Sequence, residues 1–463
     1  MKNLSQYRRI LKFISAAILV IAVTTLYGLV WMHDYNDVLN FSLWNYGNLL
    51  VVLLYAALFC MFTRTYGGFR IGFYKTGNVL FSLILSLIVV NIISYIQISL
   101  ISRQFISVLP IGCLFLVQVM AAMLWSFLVH RMYHALFPPQ SLLLVYGERP
   151  MFHLMQKVKM REDYFRIKNI VRYDQGIDFI VNLMDQYDGI IIGDIPVHVR
   201  NQLFKACFDR DIRTYVVPKL SDIIARSAEE WNIFDSPLLL SRNERFHAEE
   251  IFLKRLIDIV FSVVGLIITS PFFLIIACIL KLTDGGPVFY KQKRLTINRK
   301  EFEIYKFRTM VQDAEPDGKA RLAAQTDDRV LPIGRFLRAT RLDELPQLIN
   351  ILKGEMSIVG PRPERPELAS EIQKSIPEFS YRTKVKAGLT GYAQIYGKYN
   401  TTAYDKLKLD LTYIRNFSLG LDLKIMLMTP KIMLLKESAE GVEDFEIMLA
   451  HYEAAAAEMD VRS

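Results

Sequence analysis

The sequence predicts a membrane α-helical bundle plus α/β structure: four N-terminal transmembrane helices, a Rossmann-like α/β domain, and a third domain entered through a re-entrant membrane helix. Three observations carry this. Four apolar runs of spanning length lie before residue 130, short apolar strands alternate with amphipathic stretches from Ser141, and a fifth apolar run at about residues 256 to 282 has basic residues on both sides. A chain of 463 residues, 52% of them hydrophobic, is too long and too apolar for one ordinary soluble domain. The expected divisions are 1–135, 136–246 and 247–436, followed by an acidic tail, 437–463, read as a solvated helix or disordered end.

The first four runs cover roughly residues 10–32, 43–63, 79–101 and 107–130. Lys2, Arg8 and Arg9 precede the first, no Lys or Arg lies between the first and second, and Arg64, Arg70 and Lys75 lie between the second and third. Only Arg103 follows the third, and Arg131 follows the fourth. The alternation follows the positive-inside rule, so the N-terminus and the chain beyond residue 131 are expected in the cytoplasm. The first run lacks a small-residue cleavage site and reads as a retained helix. Cys60, Cys113, Cys207 and Cys278 form neither a disulfide framework nor a metal-ligand pattern. The net charge of +9 suits a phosphate-rich substrate, an anionic lipid surface or a nucleic acid alike, so charge by itself does not choose among them.

From Ser141, apolar strands are expected at 142–146, 166–171, 189–193 and 213–217, with helices between them and hence a parallel sheet. The turn after the first strand reads Gly147-Glu148-Arg149-Pro150, which lacks the glycines that let a backbone approach a pyrophosphate. A scaffold or regulatory role therefore suits this domain better than dinucleotide binding. Tyr404 and Lys408 spell Tyr-x-x-x-Lys, a pair used by nucleotide-sugar dehydratases, but no dinucleotide fingerprint precedes them.

The fifth run, at about 40 Å, is long enough to span a membrane. Lys254 and Arg255 before it and Lys281, Lys291, Lys293 and Arg294 after it make both flanks cytoplasmic by charge, and Ser270-Pro271 near its middle predicts a sharp bend. A helix that dips into the bilayer and returns satisfies these constraints. Beyond it, Arg341-Leu342-Asp343-Glu344-Leu345-Pro346 precedes apolar residues at helical spacing and a stop at Gly354, so Pro346 predicts a helix start close to Asp343 and Glu344. Such an end stabilises carboxylates and also binds phosphate. Asp343 is the candidate nucleophile for phosphoryl transfer, and Asp343 with Glu344 the candidate ligands of Mg²⁺. Lys306, Arg308 and Arg341 are candidates for neutralising phosphate, and Gly360-Pro361-Arg362-Pro363 is a stiff loop presenting Arg362.

Residues 250–436 resemble the bacterial sugar transferase family, the phosphoglycosyl transferases with a membrane-inserted re-entrant core. The resemblance runs through Lys254-Arg255-x-x-Asp258, the Ser270-Pro271 break, Gly286-Pro287-Val288-Phe289, Gln292-x-Arg294, Lys306-Phe307-Arg308-Thr309-Met310, Asp343-Glu344-Leu345-Pro346-Gln347, Ser357 to Pro363, and Gly388 to Gln394. It implies transfer of a hexose 1-phosphate from a UDP-sugar to undecaprenyl phosphate, through a covalent phosphosugar on Asp343. It further implies Glu344 as metal ligand, Arg362 as a contact to the uridine nucleotide, and Pro361 and Pro363 in the same substrate loop. Lys254, Arg255 and Asp258 are expected as anchors at the membrane interface. The four helices and α/β domain resemble the large subgroup that begins O-antigen, capsule or exopolysaccharide assembly, often as a dimer. Membrane lipids and a second copy are thus the expected partners, and nucleic acid is not. Two positions depart from the common pattern: Leu295-Thr296-Ile297-Asn298 stands where many members have a glycine after the arginine, and Ala387 where many have proline. A membrane-anchored dehydratase would need the missing glycine fingerprint, and a non-catalytic scaffold would have no reason to keep Asp343-Glu344.

Overall fold

The structure is a computed structural model that describes residues 7–36, 45–147, 151–241, 247–311, 329–397 and 401–434. Residues 148–150, in the turn after the first predicted strand, and the acidic tail lie outside them. The chain divides into two compact units, Met1–Val217 and Pro218–Ser463.

In the first unit, α1 (Arg8–Val30) continues into a π-helical turn at Trp31–Tyr35 and is followed by α2 (Asn45–Tyr66), α3 (Thr76–Ser102) and α4 (Leu109–Leu136). All four are long and apolar enough to cross a membrane. Their polar side chains turn inward. Tyr55 donates to Asn91 at 3.0 Å, Asn91 to Gln118 at 3.0 Å and Gln118 back to Tyr55 at 2.9 Å, while Trp31 donates to Asn48 at 2.9 Å. Phe13, Leu50, Leu100 and Met120 face outward. Such hydrogen-bonded polar groups inside, with apolar groups outside, suit a lipid solvent.

The α/β part of this unit comprises β1 (Gln140–Tyr146), α5 (Phe152–Lys159), β2 (Phe165–Arg172), α6 (Ile177–Met184), β3 (Gly189–Ile192), α7 (Val197–Asp209) and β4 (Arg213–Val216). The strands form one parallel sheet in the order β2-β1-β3-β4. Leu142 to Val145 are fully buried because helices cover both faces of the central strand, which is why β1 reads as a continuous apolar run.

The second unit begins earlier than the sequence suggests. Residues 218–246, assigned above to the α/β domain, hold α8 (Leu220–Arg226) and the antiparallel hairpin β5 (Glu229–Ile233) and β6 (Ser236–Leu240). Ile223 of α8 enters the core of the second unit and Ser227 accepts a 2.6 Å hydrogen bond from Arg415 Nε, so tertiary packing moves the boundary to Pro218. The long helix α9 (Ala248–Asp284) contains Pro271 and meets the length and hydropathy of a membrane span. An antiparallel hairpin follows, β7 (Phe289–Leu295) and β8 (Glu301–Phe307). Its turn needs left-handed backbone, which Asn298 (φ 57°) and Arg299 (φ 60°) supply.

Next come α10 (Pro332–Thr340), a 3-10 turn at Leu342–Glu344, α11 (Gln347–Lys353), β9 (Ser357–Val359), α12 (Pro366–Ser375), β10 (Gly388–Thr390), α13 (Tyr392–Tyr396), α14 (Ala403–Arg415) and α15 (Leu419–Leu434). β9 and β10 pair in parallel at the centre of one core, with Leu348, Ile351, Leu407, Leu411 and Ile425 around them. A second core joins Ile276 and Leu280 of α9 to Phe307, Leu331 and Leu337. The departure at Ala387 has a local use: its N–H donates to Thr296 Oγ1 at 3.2 Å, a bond proline has no hydrogen to make.

Candidate active site

The chain reaches the two carboxylates through a sharp reversal. Arg341 ends α10 with φ 57°, a left-handed conformation uncommon outside glycine, and the 3-10 turn Leu342–Glu344 starts immediately after it. Leu342 and Leu345 drop into the core shared with Ile276 and Leu280 of α9, which aims the intervening side chains away from that apolar cluster. The helix start expected close to Asp343 and Glu344 is found at Gln347, just beyond them. Asp343 and Glu344 occupy the separate 3-10 turn, Pro346 is the N-cap, and α11 begins at Gln347.

The carboxylates have unequal surroundings. Glu344 is buried, and its Oε1 accepts from Lys306 Nζ at 2.8 Å and from Arg362 Nη2 at 2.8 Å. Although burial alone would raise its pKa, these two cations outweigh it and hold the carboxyl far below the usual range. Asp343 has a longer ion-pair contact, 3.9 Å to the same Lys306 Nζ. Burial pushes its pKa up, only partly offset by Lys306, and the Glu344 charge pushes it further up, while Arg338 and Arg341 pull it down. One carboxylate is therefore a fixed counter-ion, and its neighbour is the more basic and less engaged of the two.

Arg362 is held from behind. Pro361 and Pro363 are buried on either side of it, Arg382 Nη2 donates to its carbonyl at 2.9 Å, and Arg294 Nη1 donates to the Pro363 carbonyl at 3.1 Å. Gly360 allows the loop to lie against its neighbour, since a Cβ there would sit 2.4 Å from the Lys386 carbonyl oxygen. Glu364 accepts from Arg382 at 3.1 Å and also pairs with Lys406. Although burial opposes it, that pair of cations lowers the Glu364 carboxyl to about 2.

Of the residues proposed from sequence, Asp343, Glu344, Lys306 and Arg362 come together in one cluster, with Pro361 and Pro363 shaping its rim. Arg341 is exposed beside it. Arg308 is 5% exposed at the end of β8, where its N–H donates to the Val288 carbonyl, a packed position and not an open guanidinium. Ser270 and Pro271 lie within α9, where the Ser270 hydroxyl donates to the Ile267 carbonyl at 2.8 Å.

The residues expected as interface anchors make internal ties. Lys254 Nζ bonds the Val359 carbonyl at 2.9 Å and Asp422 at 2.5 Å. Arg255 donates to the carbonyls of Ile351 and Leu352 at 2.6 Å each, closing the C-terminus of α11. Asp258 accepts from the Ile358 N–H at 2.9 Å and Ser357 Oγ at 3.1 Å. Polar groups on an apolar helix here find partners in β9 and α11, so desolvation directs them inward.

Sequence reasoning missed Arg338, which lies one turn before the carboxylates on α10 and hydrogen-bonds Thr309 Oγ1 through Nε at 2.9 Å. The only signal was its place among the arginines at 335, 338 and 341. It also missed Asn350, fully buried, which accepts from the Tyr305 N–H at 2.9 Å and donates to the Glu303 carbonyl at 2.7 Å, locking β8 to α11.

The family model described as bacterial sugar transferase matches residues 249–436. A UDP-N-acetylgalactosamine-undecaprenyl-phosphate N-acetylgalactosaminephosphotransferase of Aeromonas hydrophila is 41% identical over 186 residues, 40% of this chain and 44% of that protein. A UDP-glucose:undecaprenyl-phosphate glucose-1-phosphate transferase of Klebsiella pneumoniae is 36% identical over 264 residues, 55% of this chain and 54% of that protein. The chain thus spans about half the length of these two relatives. The sugar transferase EpsL of Bacillus subtilis is 39% identical over 188 residues, which make up 41% of this chain but 90% of that shorter protein. With the family model covering the block that builds the carboxylate cluster, and 90% of one relative's length matched at 39% identity, the chain belongs to the bacterial sugar transferase family.

Proposed function

We propose that this chain transfers a hexose 1-phosphate from a UDP-sugar to undecaprenyl phosphate, the first step of building a surface polysaccharide. The observation that carries this reading is the division of labour between adjacent carboxylates: Lys306 and Arg362 bind Glu344 closely, and leave Asp343 next to them with a raised pKa. An Asp343 oxygen attacks the β-phosphorus of the donor, the bond from that phosphorus to the bridging oxygen breaks, and UMP leaves with the electron pair. A phosphate oxygen of the polyprenyl carrier then attacks the same phosphorus and displaces the Asp343 carboxylate, giving undecaprenyl diphosphosugar. Lys306, Arg338, Arg341 and Arg362 supply the positive charge that a diphosphate needs. The relatives' names carry glucose, galactose and N-acetylgalactosamine, so the proposal is for the hexose class.

Mg²⁺ fits this turn by the chemistry of its donors. Asp343 and Glu344 offer hard carboxylate oxygens on adjacent residues, and a cation would relieve the mutual repulsion that pushes the Asp343 pKa up. No third protein ligand joins them among the described residues, so diphosphate oxygens and water would complete the shell. When bound, the ion would offset repulsion between the nucleophile and the diphosphate.

The proposed setting is the cytoplasmic face of the inner membrane, with α9 entering and leaving on one side. Arg255 bonds α11, Gly265 lies against Leu348, and Ile276 and Leu280 share a core with Leu342 and Leu345. Both halves of α9 therefore contact the single stretch 342–351. A straight helix crossing a hydrocarbon core of about 30 Å would not keep both of its halves against one ten-residue stretch.

The test is an acceptor-free incubation with UDP-sugar. Wild type is expected to release one equivalent of UMP and to gain a hexose phosphate on the peptide containing Asp343. Asp343→Asn, still folded and inserted, is expected to do neither, and UMP release by that variant at the wild-type rate would refute the assignment.

A further inference from the structure

The geometry points to a zinc-type metal site in the first unit, formed by His130, His134 and Asp163. His130 and His134 stand one turn apart on α4, and their Nε2 atoms are 2.8 Å apart. Asp163 comes from the turn between α5 and β2, and one ligand atom from each of the three residues lies within 4.8 Å of the others. All three are half-buried, so the cluster is shielded yet reachable. An open surface depression, lined by Lys75, Thr76, His130, Met160, Glu162 and Asp163 among others, lies beside it and gives an ion a way in.

The donor chemistry selects the ion. Two imidazoles and one carboxylate suit Zn²⁺ or a similar first-row divalent metal, whereas Mg²⁺ and Ca²⁺ take oxygen shells. Bond lengths of about 2.0 to 2.1 Å in a tetrahedron put neighbouring ligand atoms about 3.3 Å apart, so the two rings need to separate by only about half an ångström. Arg161 fixes the carboxylate. Its Nε and Nη2 donate to the two Asp163 oxygens at 3.0 and 3.1 Å, and its Nη1 bonds the Phe73 carbonyl. Each Asp163 oxygen accepts one N–H from Arg161 and retains a lone pair, an outer-shell arrangement that orients a ligand without consuming it. The surrounding cations, Lys75, Lys159 and Arg161, oppose metal entry, and Asp163 and Glu162 favour it. A bound ion would clamp the end of α4 to the turn that leads into β2, cross-linking the helical bundle and the parallel sheet of this unit. The carboxylate turn at Asp343 plays no part in it.

The full chain, purified in detergent with a tag that contains no histidine, is titrated with ZnCl₂ against a chromophoric chelator, and its zinc content is measured after gel filtration. Wild type and Asp343→Asn are expected to retain one zinc per chain. His134→Ala and Asp163→Asn are expected to bind at least about tenfold more weakly while eluting as wild type does; Asp163→Asn keeps the side-chain shape, so its loss is not one of folding. Excess MgCl₂ is expected not to displace the ion. Substoichiometric zinc in wild type, or equal affinity in all four proteins, would mean an adventitious ion only, with His130 and His134 joined by nothing more than a hydrogen bond.

Discussion

Replacing Glu344 by glutamine separates the electrostatics of this site from its shape. The change removes the charge that Lys306 and Arg362 share, and with it the repulsion that adds to burial in raising the Asp343 pKa. Lys306, now without an anionic partner at Glu344, can move from 3.9 Å to hydrogen-bond distance of Asp343. At an effective dielectric constant of about 20, the attraction between unit charges grows from about 4.3 kcal/mol at that separation to about 5.9 kcal/mol at ~2.8 Å. The gain of about 1.7 kcal/mol favours the charged carboxylate and so lowers the Asp343 pKa. Both Lys306 and Asp343 are less than a quarter exposed, so solvent screening does not remove the effect. The nucleophile is active when deprotonated, so a lower pKa moves the acid limb of the rate profile to lower pH. The assay is UMP release in a single turnover between about pH 4.5 and pH 9, each variant normalised to its own plateau so that a slower absolute rate does not matter. Glu344→Gln is expected to be slower throughout, with its acid limb at lower pH than that of wild type. A limb that stays in place or moves up would refute Asp343 as the titrating group coupled to Lys306.

Three further outcomes are expected. Excess EDTA should stop acceptor-free UMP release and added MgCl₂ should restore it; unchanged release in EDTA would remove Mg²⁺ from the reaction. Single cysteines placed near Arg255 and near Lys291 should both resist a membrane-impermeant thiol reagent in intact cells and react once the inner membrane is opened. Labelling only the Lys291 position in intact cells would show that α9 crosses, an arrangement that Pro271→Leu is expected to favour by removing the proline from the helix interior. Glu364, lowered from 4.5 to about 2, contributes about 3 kcal/mol of stability, fully present above pH 4.5 and lost as pH falls toward 2. Glu364→Gln should therefore melt at a lower temperature than wild type at pH 7, and the gap should shrink between about pH 5 and pH 3; a gap independent of pH would rule out this ion network as its source.

What the sequence by itself determined were the features that depend on local pattern and covalent chemistry. The apolar runs, the burial of β1 on both faces, the adjacency of Asp343 and Glu344, and the rigid Pro361-Arg362-Pro363 frame are all written in neighbouring residues, because hydrophobic periodicity and proline geometry act over a few positions. Tertiary structure decided which charges meet. Lys306, 38 residues before Glu344, and Arg362, 18 residues after it, converge on one oxygen only when the β7–β8 hairpin, the 3-10 turn and the β9 loop have folded together. The different pKa directions of the two carboxylates follow from that convergence, and no sequence spacing contains it. Lys254, Arg255 and Asp258 make the same point in reverse. Their position beside an apolar run suggested the membrane surface, but burial of the backbone of α11 and β9 left carbonyls and amides in need of partners, and these side chains lay within reach. Nor could the sequence bring His134 to Asp163, because the contact depends on the turn before β2 returning to the end of α4, and that return is set by how the sheet packs.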